Sequence, residues 1–224
     1  MKEFGGNGKG RGFGPIFELA SCQLVKAKLL GEGMIDVKST IEPDEPTWVS
    51  DVLTFWFSEL TDDDWFRKDD AIDAAIRQRF LPLHERLLAG GVAEDGTPRL
   101  MLAAIIVFDQ FSRNMFRGTA RAFAADPAAL RLARSAVGRR IDAGMTGREQ
   151  LFLYLPFEHS EDIADQEKSV ELTVKLDDEG LLHYAKAHRD IVKRFGRFPH
   201  RNDMLGRPST AEEIAFLKQS GSSF

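Results

Sequence analysis

The chain of 224 residues lacks several features that would point to a familiar class of protein. Its one cysteine, Cys22, excludes an intrachain disulfide framework and a zinc site built from several cysteines. No apolar run is long enough to span a bilayer, since the longest runs from Leu100 to Phe108 and ends at Asp109. We therefore expect a soluble, cytoplasmic protein with no membrane partner.

Common cofactor and nucleic-acid signatures are also missing. The formal net charge of −5 argues against a broad nucleic-acid surface, which needs a basic face. No His-Glu-x-x-His motif and no Gly-Lys-Ser/Thr phosphate loop occurs. His183 and His188 are five residues apart, which puts them on different faces of a helix. We expect no metal, no cofactor and no nucleic-acid partner.

The first residues differ from the rest of the chain. Glycines crowd residues 5–14 and disfavour regular structure, and only the apolar stretch from Ile16 to Leu30 offers a loose helix. The purine-rich codons of Gly-Glu-Gly before Met34 suggest Met34 as the natural start. We predict a leader over 1–45, disordered or loosely helical, and one helical domain over 46–224.

Helix boundaries are well marked after the leader. Asp69 and Thr97-Pro98 are typical of helix starts, and Thr146 and Thr210 open capping boxes with the glutamate three residues later. The alternation of a half-buried strand is absent. The pattern predicts an all-α fold without significant sheet, with roughly seven or eight antiparallel helices joined by short linkers. Pro82 and Pro156 are predicted to kink or divide their helices.

Polar residues gather in three short signatures, and the first follows an apolar helix. Asp109 and Arg113 lie four residues apart, so that their side chains share a helical face and can pair. A buried charge needs such pairing. The pair either anchors the structure, which we consider the more common case, or contributes to a site.

The second signature runs from Tyr154 to Asp162. His159 follows the predicted break at Pro156, and breaks in helices often host ligands. Asp162 is a candidate to orient the imidazole, as carboxylates do in catalytic and metal sites. The alternative is structural: residues 160 and 161 cap a new helix and His159 bonds within the core.

The third signature, residues 194–202, is a loop rich in arginine and aromatic residues. Its planar donors suit a carboxylate or phosphate, and loops on rigid scaffolds often carry function. The alternative is that these donors satisfy helix ends and the carboxylates of the other two signatures. The donors concerned are Arg197, His200, Arg201 and Asn202.

Together the signatures resemble those of a bacterial family catalogued as domain of unknown function 924. The resemblance is carried by Asp109-Gln110-Phe111-Ser112-Arg113-Asn114, by Leu155-Pro156-Phe157-Glu158-His159-Ser160-Glu161-Asp162 and by residues 194–202, and it covers about residues 46 to 219. It implies a helical array like that of tetratricopeptide repeats and no established reaction. The family commonly has methionine where this chain has Glu158, so we expect an additional charge beside His159.

Three functions follow as hypotheses. The first is a binding or scaffold module whose tetratricopeptide-like groove takes a protein or peptide. The second is a small-anion-binding protein or enzyme, in which a nearby carboxylate raises a histidine pKa. The third is a purely structural polar network. The catalytic candidates are His159, His200, Asp109 and Asp162, and the ligand-binding candidates are Arg113, Arg197, Arg201 and Asn202.

Overall fold

The protein is all-helical in the part that its computed structural model describes, residues 45–219 and 221–222. No strand occurs in that part of the chain. The predicted leader and Met34 lie outside the described residues, apart from Glu45. The α-helices are α1 (Thr47–Thr54), α2 (Asp62–Trp65), α3 (Asp70–Gly90), α4 (Pro98–Ile105), α5 (Ser112–Met115), α6 (Asp126–Gly138), α7 (Gly147–Glu158), α8 (Ile163–Val174), α9 (Glu179–Phe195) and α10 (Ala211–Phe216).

Shorter helical turns link some of these elements. Two turns are π-helical, and one of them joins α4 to α5 in a continuous rod. The others are of the tighter 3-10 type. The π turns are Phe55–Glu59 and Ile106–Phe111, and the 3-10 turns are Ala120–Phe123, Ile141–Gly144 and Pro199–Arg201.

The predicted helix caps are confirmed. The side chain of Asp69 accepts hydrogen bonds from the first turn of α3, and that of Thr97 accepts one from the first turn of α4. Both capping boxes form, at Thr146 and at Thr210. Gly196 ends α9 with φ of 69°, a left-handed conformation that glycine adopts without a Cβ clash. Local side-chain chemistry therefore determines where these helices begin and end.

The two helices are not divided at their prolines, so that alternative of the prediction is wrong. Pro82 lies inside α3, which runs unbroken for 21 residues, and Pro156 lies inside α7. A proline inside a helix costs about 3 kcal/mol through a lost hydrogen bond and a ring clash. Every residue from Leu151 to Glu158 is buried, and this packing outweighs the local penalty.

The core is built around α4 and an aromatic cluster. From Met101 to Phe108 no residue is more than 1% exposed, as expected for a helix that is apolar on all sides. Phe152 of α7 meets Trp56 and Trp65 edge-on, at centroid distances of 5.3 and 4.8 Å. The aromatic-rich start of the domain thus packs into the core.

Successive helices pack on one another from α6 to α9. In this run α6 packs on α7, α7 on α8 and α8 on α9, while α4 lies against α1, α6 and α7. α7 also packs against the π turn that follows α4, and its C-cap residue His159 contacts that turn. The loop after α9 packs back onto this end of the molecule through Phe198, which is fully buried.

Candidate functional site

A π-helical turn places a carboxylate inside the core. The turn Ile106–Phe111 continues α4 and carries Asp109, which is 1% exposed. Turns of this type are rare and frequently occur at functional sites. An ionised side chain in such surroundings is stable only when charged or hydrogen-bonding partners surround it.

Asp109 has partners on both carboxylate oxygens. Its Oδ1 lies 2.8 Å from Nδ1 of His159 and 3.1 Å from Nη1 of Arg113, and its Oδ2 accepts a hydrogen bond of 2.6 Å from Gln110. Burial alone would raise the pKa of Asp109, but the charge of Arg113 and the bond to His159 hold it well below its usual range. The carboxylate is therefore ionised, and the predicted pairing of Asp109 with Arg113 is confirmed.

His159 presents one ring nitrogen to Asp109 and keeps the other apart from protein partners. The residue follows directly on α7 as its C-cap. Because an ionised carboxylate can only accept, Nδ1 carries the proton and Nε2 is left as the proton acceptor. Nε2 forms no hydrogen bond with any residue between 45 and 222 that the structure describes, and the side chain remains 15% exposed.

The expected rise in the histidine pKa is wrong. Burial and the positive charge of Arg113 lower the pKa of His159, and they outweigh the opposite effect of Asp109. The carboxylate does orient the imidazole, but Arg113 neutralises much of its field. At neutral pH the ring is therefore an uncharged base with a fixed tautomer.

Arg113 also binds a second carboxylate across the site. Its Nη1 and Nη2 donate to the two carboxylate oxygens of Asp126 at 2.9 and 3.1 Å, a bidentate pair. Asp126 is the first residue of α6, with Ala125 as the cap. Nothing in the local pattern around Asp126 signals its partner 13 residues earlier.

Arg201 closes the site from the loop after α9. Its guanidinium lies between the rings of Phe123 and Phe198, 4.7 and 4.5 Å from their centroids, and its Nη1 donates to the backbone oxygen of His159 at 3.0 Å. Its Nε is buried and has no acceptor among the described residues. Burial and the nearby Arg113 lower the pKa of Arg201 to about 10.

Two further histidines adjoin this group. The ring of His188 lies 6.3 Å from that of His159, and His200 is half-buried on the same loop as Arg201. Burial, the largest cause, and the positive charge of Arg201 lower the pKa of His188 to about 3 and that of His200 to about 4. Both imidazoles are therefore uncharged at neutral pH.

Glu158 does not add the charge that was expected beside His159. It is buried, with Oε1 3.2 Å from Nδ1 of His188, which also lies 2.9 Å from the backbone oxygen of Tyr184. Burial, aided by the charge of Asp109, raises the pKa of Glu158 to about 8. The residue is therefore largely protonated at neutral pH, and Glu158 and His188 form a neutral pair.

Three of the predicted site residues lie outside the group around Asp109. Asp162 is exposed and caps α8 by accepting from the backbone nitrogen of Ala164 at 2.8 Å, so the role of orienting His159 falls to Asp109. Arg197 pairs with Glu213 at 2.7 Å beside α10. Asn202, the third, bonds to Arg207 and Ser209.

A neighbouring network fixes the loop that carries Arg201. Arg207 donates to both oxygens of Glu161 at 2.5 and 2.9 Å and to Oδ1 of Asn202 at 3.0 Å, and Asn202 in turn donates to Ser209. The backbone nitrogen of Phe198 also donates to Glu161 at 2.8 Å. These contacts hold the loop against Glu161.

We define the polar cluster as Asp109, Arg113, Asp126, His159 and Arg201. It has a solvent-facing edge, where the side chains of Arg113, Asp126 and His159 are 20%, 19% and 15% exposed. The cluster can orient one neutral imidazole next to two guanidinium groups.

No group of three or more potential metal ligands occurs in the described residues. No helix among those residues is long and apolar enough to cross a membrane.

The chain belongs to a family of bacterial proteins of unknown function, DUF924, whose model matches residues 52–221. This match confirms the resemblance carried by the three signatures. The chain is also similar to the solved structure of a protein of unknown function from Agrobacterium tumefaciens. The two are 40% identical, with a TM-score of 0.72 over 77% of this chain and 97% of the other. No curated protein matches.

Proposed function

We propose that this protein binds a small anionic ligand, a carboxylate or a phosphate, at the edge of the polar cluster, and that His159 transfers a proton to or from it. The observation that carries the proposal is the bond of 2.8 Å between Asp109 and Nδ1 of His159, with Nε2 directed away from protein partners. A carboxylate that fixes an imidazole in this way prepares the other nitrogen for general acid-base chemistry.

The charge distribution favours an anion. Arg113 lies at the edge, and the buried Nε of Arg201 lacks an acceptor among the described residues. Burial and the positive charge of Arg113 lower the pKa of Arg201, so the two guanidinium groups repel each other. A bound anion relieves that repulsion, since opposite charges a few ångströms apart stabilise each other.

Most of the remaining polar side chains of the three signatures bond to other protein groups and do not belong to the polar cluster. Arg197, Asn202 and Arg207 have protein partners, which makes them positioning residues for the loop of Arg201. The hypothesis of a protein-binding groove stays a prediction, and it does not require His159 to have an unoccupied nitrogen. The anion hypothesis accounts for that nitrogen and is the one we favour.

A thermal-shift screen of small carboxylates and phosphates tests the proposal. A ligand at 100 times its dissociation constant stabilises the native state by about 2.7 kcal/mol, which is readily measured. We expect His159→Gln to fold and to lose most of this response, because Nε2 of the imidazole can take up a proton and then donate to the anion, whereas the amide cannot take up a positive charge.

His183→Gln is the matched control, since His183 is an exposed histidine on α9. It should respond to the ligand as the native protein does. Arg197→Ala should lower the melting temperature and leave the ligand-induced increment intact. The proposal fails if no anion stabilises the native protein, or if His159→Gln retains the full increment.

A further inference from the structure

A polar cleft lies on another part of the molecule, apart from the polar cluster. It has a volume of about 340 Å³, at the small end of the range for small-molecule sites, about 300–1,000 Å³. It lies between the 3-10 turn Ile141–Gly144, the middle of α7 and the residue that ends α8, Lys175. None of the polar-cluster residues lines it.

A buried carboxylate forms part of its lining. Asp142 is 9% exposed, and its Oδ2 accepts a hydrogen bond of 2.7 Å from the hydroxyl of Tyr154. No lysine or arginine of the described residues pairs with it, and no other described donor reaches its carboxylate. A buried carboxylate with one neutral donor is poorly compensated, so it attracts a positive charge that enters the cleft.

Two cations line the same cleft. Neither the guanidinium of Arg140 nor the ammonium of Lys175 forms a hydrogen bond or an ion pair with a described residue, although both line the cleft together with Asp142. Arg140 has φ of 58° and ψ of 29°, a left-handed backbone that is uncommon for a residue with a side chain. Uncommon backbone conformations of this kind cluster at ligand sites.

A larger cleft shows a different arrangement. It has a volume of about 460 Å³ and is lined by residues of α3 and of the turn after α5. There Arg117 binds Asp73 through two hydrogen bonds of 2.7 and 2.8 Å, and Asn114 donates to the same carboxylate at 2.8 Å. Those charges neutralise each other within the protein, whereas the opposite charges of the smaller cleft do not meet.

We propose that the smaller cleft binds a free α-amino acid with a small aliphatic side chain, with its ammonium group at Asp142 and its carboxylate at Arg140 and Lys175. A zwitterion complements a site where a carboxylate and two cations line one cavity without pairing. Val137 and Ala143, which also line the cleft, provide apolar contact for a short side chain.

Calorimetric titration with L-alanine, L-valine and L-leucine tests this site on the full chain. We expect at least one of the three to bind at millimolar concentration or tighter. Its amide lacks the carboxylate and its N-acetyl derivative lacks the ammonium charge, and each should bind about tenfold more weakly or worse, since each loses a charge-assisted contact. This result does not depend on the anion proposed for the polar cluster.

Two variants test which residue binds the carboxylate of the ligand and which binds its ammonium group. Arg140→Gln changes an exposed side chain and should fold; it should weaken the amino acid about tenfold and leave its amide unaffected. Asp142→Asn should weaken the amino acid and leave the N-acetyl derivative unaffected. Arg139→Gln, whose guanidinium bonds to the backbone oxygen of Glu94 outside the cleft, should bind normally.

Three results would overturn the inference. The first is that none of the three amino acids binds. The second is that the N-acetyl derivative binds as tightly as the amino acid, which would make the cleft a site for simple anions. The third is that Arg140→Gln leaves the affinity for the amino acid unchanged.

Discussion

Replacing Glu158 by glutamine should remove a large pH dependence from the stability of the protein. Glu158 is buried beside the neutral His188, and burial raises its pKa from 4.5 to about 8. Because the folded protein holds this proton more tightly than the unfolded chain, the contribution to stability is fully present below pH 4.5. It is lost progressively as the pH rises through 8.

The size of the effect follows from the two pKa values. Over the pH range in which only the folded state keeps the proton, the free energy of unfolding falls by about 1.4 kcal/mol for each pH unit. Between pH 5 and pH 9, a carboxyl with pKa 4.5 unfolded and about 8 folded lowers the free energy of unfolding by about 4 kcal/mol. That is a large share of the stability of an ordinary domain, about 5–15 kcal/mol.

Urea denaturation at pH 5, 6, 7, 8 and 9 measures this effect, provided that the slope with denaturant stays constant. The difference in stability between Glu158→Gln and the native protein should grow by about 4 kcal/mol across the series in favour of the variant. Glu158→Met should show the same trend. Parallel curves would refute the reasoning, because they would mean that Glu158 is ionised throughout.

Glu161→Gln is the matched control, three residues further along. Arg207 counters the burial of Glu161 and lowers its pKa, so its contribution is present above pH 4.5 and is lost as the pH falls. Its difference from the native protein should therefore be flat between pH 5 and pH 9. A slope like that of Glu158→Gln would show that the effect is not specific to the buried residue.

Other changes should alter stability in stated directions, each measured by chemical denaturation. Gly196→Ala should cost about 1 kcal/mol, because φ of 69° is strained for alanine. Gly90→Ala, at the end of a helix where an added Cβ meets nothing within 4 Å, should instead gain about 0.5 kcal/mol. Arg207→Ala should cost about 2 kcal/mol at pH 7 by leaving Glu161 half-buried without its ion pair, and less as the pH falls below 4.5.

The fold was largely predictable because its signals are local. Asp69, Thr146, Thr210 and Gly196 act within one helical turn, so their roles can be read without knowledge of the tertiary structure. Pro156 was misread for the opposite reason. The cost of a proline is local, but the burial of α7 that outweighs it comes from other helices.

The cluster was only partly predictable from sequence. The pairing of Asp109 with Arg113 follows from helical spacing, whereas the contact of Asp109 with His159 joins residues 50 apart. Asp162 was preferred as the partner of His159 because it is near in sequence. The neutral state of Glu158 depends on the burial of the end of α7, which no local pattern reveals.

The central claim is that Asp109 holds His159 as a neutral base with its Nε2 lone pair available. A proton–nitrogen NMR spectrum of the imidazole groups at pH 7 tests it, with the His159 signals assigned by their loss in His159→Gln. We predict a ring protonated on Nδ1, unprotonated on Nε2, and titrating below pH 6.5. A ring protonated on Nε2, or one still doubly protonated at pH 8, would contradict the claim.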